Sequence, residues 1–140
     1  MLQSIKVKDY MAADLTTFTA DMDVMIAVGI LIKKRISGAP VVDGHGNLVG
    51  ILSERDCVRV ALETCYYSEQ AGVVADYMNK DVKTVDANVS ILELAQLFID
   101  KPFRRYPVLE GSRLVGQISI RDVLRAMENI AAPEAYAKRR

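Results

Sequence analysis

Gly50-Ile51-Leu52-Ser53-Glu54-Arg55-Asp56 sets a glycine, two aliphatics, a serine and an aspartate at fixed spacing. Gly116-Gln117-Ile118-Ser119-Ile120-Arg121-Asp122 repeats the glycine, serine, arginine and aspartate in the same places. In both, the apolar lead reads as a strand end and the residues after the serine as a helix start. A helix start presents unpaired N–H groups to an anion, a serine hydroxyl can add a hydrogen bond to phosphate, and an arginine can add charge. An aspartate one turn on has two acceptor oxygens and can take both hydroxyls of a ribose. Together these groups suit a nucleoside phosphate. The plainer reading of Ser-x-x-Asp is a helix cap, with an acid in the first turn complementing the helix dipole. Capping, however, does not require Arg55 and Arg121 to recur. Nor does it require a glycine in each strand, which leaves room for something to approach the backbone.

The positioning elements are themselves repeated. Val7-Lys8-Asp9-Tyr10-Met11 returns as Val74-Ala75-Asp76-Tyr77-Met78, and Thr17, Ala20, Ile32, Pro40 and Val41 match Thr84, Ala87, Ile99, Pro107 and Val108 at the same offset. One residue is then lost between Val-Val-Asp-Gly-His-Gly-Asn and Val-Leu-Glu-Gly-Ser-Arg, in a glycine-bearing turn where a hairpin absorbs a deletion. Each copy reads as strand, helix, strand, strand, helix. The first strands lie in Leu15–Thr19 and Val82–Asp86, and the helices that follow start at Val24 and Ile91, behind Asp23 and Ser90 as caps. Pro40 and Pro107 sit just before aliphatic pairs that suit strands. Val58, Ala61, Leu62 and Val123, Leu124, Met127 fall at helical spacing after the motif. The repeats run over 1–66 and 74–130, with a linker at 67–73 and a tail at 131–140 that carries the helix-breaking Pro133.

Val24 to Ile32 has no polar side chain, so its helix needs cover on its second face. A unit of about 60 residues is marginal alone. The copies are therefore expected to share a core, and a second chain to cover what is left.

The 140 residues are half hydrophobic and a quarter charged, a globular composition. Eighteen basic and eighteen acidic side chains cancel, leaving no global field to draw in nucleic acid or an anionic membrane. The N-terminal stretch lacks a signal-like apolar core and no run approaches a membrane span, so a cytoplasmic location is expected. Cys57 and Cys65 are eight apart on one helix, about 12 Å along its axis and too far for a disulfide. With one histidine, His45, in a turn, no metal site or acid–base pair is built, and no enzyme is expected.

The chain resembles a tandem pair of cystathionine-β-synthase (CBS) domains, a Bateman module. The family's motif of glycine, two apolar residues, Ser/Thr, two variable residues and Asp is matched at Gly50, Ser53, Asp56 and at Gly116, Ser119, Asp122, with Gln117 in one apolar place. Its hydrophobic-proline-hydrophobic strand is matched by Ala39-Pro40-Val41 and Tyr106-Pro107-Val108. The resemblance implies an α/β (α+β) fold of two β-α-β-β-α units packed with pseudo-twofold symmetry. It also implies a regulatory, energy-sensing role. AMP, ADP, ATP or S-adenosylmethionine would bind in the cleft between the copies, with no cofactor required. Asp56 and Asp122 would then hold ribose, and Ser53 and Ser119 phosphate, beside Arg55 and Arg121. Adenine would lie near Thr17-Phe18 and Thr84-Val85, and near Gly38-Ala39 before Pro40 and Arg105-Tyr106 before Pro107. Family members pair into flat dimers through their helices, as the apolar helix from Val24 would suit.

Arg104, Arg105 and Ile120 in the second copy stand where the first has Ser37, Gly38 and Glu54, so the second site is expected to be tighter for phosphorylated ligands and Asp122→Ala to be costlier than Asp56→Ala. Tyr10 and Tyr77 read as packing residues. Lys33-Lys34-Arg35 reads as a solvated helix end, and one Arg-Arg-Tyr cluster on a neutral chain does not make a nucleic-acid binder. The expectation is a stand-alone sensor that signals to a separate regulated protein. The alternative is a ligand-free dimerisation scaffold in which the motif survives as a cap.

Overall fold

The structure is a computed structural model and describes residues 2–67 and 70–131. Most of the tail and part of the linker named above lie outside the described residues. The chain order is β1 (Phe18–Thr19), α1 (Val24–Lys34), β2 (Gly38–Val42), β3 (Leu48–Ser53), α2 (Glu54–Tyr67), then β4 (Val85–Asp86), α3 (Ile91–Asp100), β5 (Arg105–Glu110), β6 (Arg113–Ser119) and α4 (Ile120–Ala131). Single 3₁₀ turns at Leu2–Ser4, Val7–Asp9 and Val74–Asp76 complete it. Each repeat therefore has the expected β-α-β-β-α order, in an α+β fold.

The helix starts follow from their caps. Asp23 Oδ1 accepts from the Met25 N–H at 2.8 Å, and Ser90 Oγ from the Glu93 N–H at 3.1 Å. At its far end α1 stops on Arg35 in the left-handed region, φ 55°, whose N–H reaches back to Leu31 and Ile32 carbonyls.

Each sheet has three strands. β1 runs parallel to β2, and β2 antiparallel to β3; β4, β5 and β6 repeat the pattern. Both hairpins bulge at the same place, between Val41 and Val42 and between Val108 and Leu109. They differ in their turns. The longer first turn is organised by Asp43, which accepts from the Asn47 and His45 N–H groups, and these bonds lower the pKa of its carboxyl from the ordinary value. The shorter second turn pivots on Gly111 at φ 62°.

The compact units differ in content from the sequence repeats. Among the described residues, one comprises 15–82 and the other 2–14 with 83–131. The short segment that opens each repeat thus completes the core built by the rest of the other repeat. Val7 is fully buried with Val85, Ala87, Ile91, Leu94, Val108 and Ile118. Its N–H donates to Val89 O at 2.8 Å, and Ile91 N donates to Ile5 O at 2.8 Å. In the other unit Val74 is buried with Phe18, Val24, Ala27, Val41 and Leu52. There Val74 N donates to Met22 O and Ala75 N to Ala20 O.

Candidate functional site

At the end of β3 the motif closes on itself. Asp56 Oδ2 accepts from the Ser53 N–H and from the Ser53 hydroxyl, both at 2.9 Å, while Ser53 Oγ accepts from the Asp56 N–H at 3.1 Å. The end of β6 repeats this: Ser119 N and Oγ donate to Asp122 Oδ2 at 2.8 and 3.0 Å, and Asp122 N donates to Ser119 Oγ at 3.3 Å. The cap predicted as the plainer alternative is therefore built in both units, and it uses one oxygen of each carboxylate. The remaining oxygen, Oδ1, differs between them. Among the described residues nothing donates to Asp56 Oδ1, whereas Asp122 Oδ1 accepts from Arg125 Nη2 at 3.1 Å.

The first-turn donors are mostly engaged. Glu54 N donates to Ser37 O at 2.8 Å and Ile120 N to Arg104 O at 3.1 Å, which ties each helix start to the residue leading into the strand of Pro40 or Pro107. Arg55 and Arg121 are exposed beside these caps. Arg104 and Arg105 are exposed as well, and Arg105 pairs across the sheet with Ser119, so three arginines gather at the motif end of the second sheet. In the first sheet Gly38 holds the position facing Ser53.

The other predicted contacts divide into surface and core. Thr17 is exposed and Thr84 half-buried, but the side chains of Phe18 and Val85 belong to the hydrophobic cores, so these two residues can offer a ligand only backbone. Ala39, Pro40, Tyr106 and Pro107 are also buried. Tyr106 packs its ring against Phe98 and Phe103, with centroids 5.3 and 5.7 Å away, and burial pushes its hydroxyl pKa up.

One expectation is corrected. The space above the motif glycines is filled by the chain itself. A Cβ at Gly116 would fall 2.5 Å from Met11 Sδ and 2.8 Å from the Ala12 carbonyl oxygen; at Gly50 it would fall 2.7 Å from Met78 Sδ and 3.1 Å from Asn79 O. Backbone bridges Ala12–Gln117 and Ile51–Asn79 fix these approaches. The glycines therefore serve the two leading segments.

Sequence reasoning also missed two arginines. Arg59 lies 5.4 Å from the Tyr77 ring centroid and donates to Asp76 O at 3.3 Å; Arg125 lies 5.7 Å from the Tyr10 ring centroid and donates to Tyr10 O at 3.1 Å. Their signal was present, since an arginine follows each motif aspartate by three residues. No group of His, Cys, Asp and Glu among the described residues is arranged to hold a metal.

The CBS domain family matches this chain twice, over residues 7–63 and 74–129, and the chain belongs to that family. It is 28% identical over 121 residues to protein MJ1225 of Methanocaldococcus jannaschii, a match covering 86% of this chain and 42% of that protein. The solved structure of CBSX2 in complex with AMP is 27% identical, with a TM-score of 0.78 over 91% of this chain and 99% of that one. The CBS domain pair of protein MJ0100, in complex with 5′-methylthioadenosine and S-adenosyl-L-methionine, is 26% identical, with a TM-score of 0.68 over 87% and 94%. The chain is thus a tandem CBS pair, similar to pairs solved with adenosine compounds bound.

Proposed function

We propose that this CBS pair is a regulatory module that binds adenosine-containing ligands and passes the bound state to a separate protein. The carrying observation is the duplicated Ser–Asp cap, which holds each aspartate rigidly by Oδ2 and leaves Oδ1 as an acceptor for ribose hydroxyls. The bound AMP, methylthioadenosine and S-adenosylmethionine of similar pairs support the same reading. These three ligands share adenosine and differ in phosphate and sulfur, which makes the sugar and base the common element. The exposed Arg104, Arg105 and Arg121 near Ser119, against Arg55 alone near Ser53, favour a phosphorylated ligand in the second sheet's unit.

The role is binding without catalysis, in the cytoplasm, and as a homodimer. The apolar residues Met25, Ile26 and Ile32 of α1 and Val58 and Leu62 of α2 are exposed on the single chain, as are Leu92 and Ile99 of α3 and Leu124 and Met127 of α4. Such surfaces favour burial against a second copy.

A ligand that binds only the folded state raises its stability by mass action. AMP at a hundred times its Kd should raise the unfolding free energy by about 2.7 kcal/mol, whereas GMP should leave it unchanged. Absence of any shift with AMP, ATP and S-adenosylmethionine would leave the duplicated motif as a pair of helix caps.

A further inference from the structure

The two motif carboxylates are alike in sequence but differ in how much of their accepting capacity the chain consumes. An ionised carboxylate has about four lone-pair positions, two on each oxygen. At Asp56 the two on Oδ2 are taken by the N–H and hydroxyl of Ser53, and Oδ1 keeps both of its own. At Asp122 the N–H and hydroxyl of Ser119 take Oδ2, and Arg125 takes one position on Oδ1. A vicinal diol donates two hydrogen bonds. Asp56 Oδ1 can accept both, whereas Asp122 Oδ1 can accept one.

Arg125 is held where it is by more than the carboxylate. An isolated exposed ion pair is weak, and the Arg125 side chain is 57% exposed against 17% for Asp122. The same Nη2, however, donates to Tyr10 O at 3.1 Å, and the guanidinium lies over the Tyr10 ring. Its counterpart Arg59 makes the equivalent contacts with Asp76 O and the Tyr77 ring without bonding Asp56.

We propose that Arg125 is a specificity-determining residue: it makes the Asp122 site read one ribose hydroxyl, while the Asp56 site reads both. This inference rests on the adenosine-ligand reading above. Each site is isolated by silencing the other carboxylate, with Asp56→Asn reporting on Asp122 and Asp122→Asn reporting on Asp56. AMP, 2′-deoxy-AMP and 3′-deoxy-AMP are then titrated calorimetrically into each. At Asp56 both deoxynucleotides should bind about tenfold or more weakly than AMP, the loss expected for one hydrogen bond to a charged group. At Asp122 at least one of them should bind within about twofold of AMP, because one hydroxyl goes unread. Arg125→Met in the Asp56→Asn background should bring the tenfold penalty to both. The comparison of the two backgrounds stands even if Arg125→Met does not fold. Equal deoxy penalties at the two sites, with AMP binding intact, would overturn the role of Arg125 alone. Failure of AMP to bind in both backgrounds would overturn the adenosine-ligand reading, and this inference with it, whereas failure in one background alone would overturn this inference only.

Discussion

Ser53 Oγ both donates to Asp56 Oδ2 and accepts from the Asp56 N–H, so the motif caps α2 with the same atoms that hold the carboxylate in place. Under the proposed function, capping and ligand recognition are two uses of one arrangement, and a substitution should affect both. Ser119→Ala removes the cap of α4 and is expected to lower stability by about 0.5–2 kcal/mol, measured by urea unfolding. It should also weaken AMP binding by loosening Asp122. The two units should respond differently to the ligand's parts. Exposed arginines rank the Asp122 site higher for phosphate, and its occupied Oδ1 ranks it lower for ribose. A single AMP titration of the two aspartate variants mixes these orders, so adenosine against AMP is the cleaner comparison. The phosphate should add more affinity in the Asp56→Asn background than in the Asp122→Asn background. The cysteines also diverge. Cys57 is half-buried, and burial, followed by the charges of Asp56 and Glu54, pushes its thiol pKa up, while Cys65 is exposed. Because the thiolate is the nucleophile, iodoacetamide at neutral pH should label Cys65 well before Cys57.

Among the elements, the 3₁₀ turns Val7–Asp9 and Val74–Asp76 at the start of each repeat act as core pieces. Val7 and Val74 are fully buried, and truncating either to alanine is expected to cost about 2 kcal/mol, read from the urea midpoint. Equal, negligible costs would show that the segments lie loosely on the surface. Gly116→Ala should destabilise by about 1–3 kcal/mol, and by more than Gly50→Ala, because its Cβ meets the Ala12 carbonyl at 2.8 Å as well as a yielding methionine. Much of this level was legible in the sequence. Asp23 and Ser90 marked where α1 and α3 begin, since a cap is local chemistry. The strand, helix, strand, strand, helix order was carried by the repeat, and so was the deletion in the second hairpin turn. The first strands shrank to two residues each, because β1 and β4 find partners only along Val41–Val42 and Val108–Leu109. The destination of Val7-Lys8-Asp9-Tyr10-Met11 was not legible. Its contacts with Val89, Gly116 and Arg125 are long-range, and a five-residue segment carries no periodicity to announce them. For the same reason the motif glycines read as space for a ligand when their neighbour is a methionine of the same chain.

For the whole molecule, the apolar helix faces and the proposed ligand sites lead to separate expectations. Ile32 on α1 is 72% exposed and Ile99 on α3 82% exposed. Ile32→Glu should shift a dimer toward monomer in sedimentation equilibrium without unfolding the chain, because the side chain lies outside the core of its unit. A monomeric parent protein would remove the homodimer from the proposal and leave the proposed ligand sites as they are. The proposed ligand sites are tested most directly by calorimetric titration of the protein with AMP, ATP and S-adenosylmethionine, with GMP as the control. Saturable, adenine-selective binding that is lost in an Asp56→Ala, Asp122→Ala double variant is the expected result. No binding of any adenosine compound, or equal binding by the double variant, would contradict it.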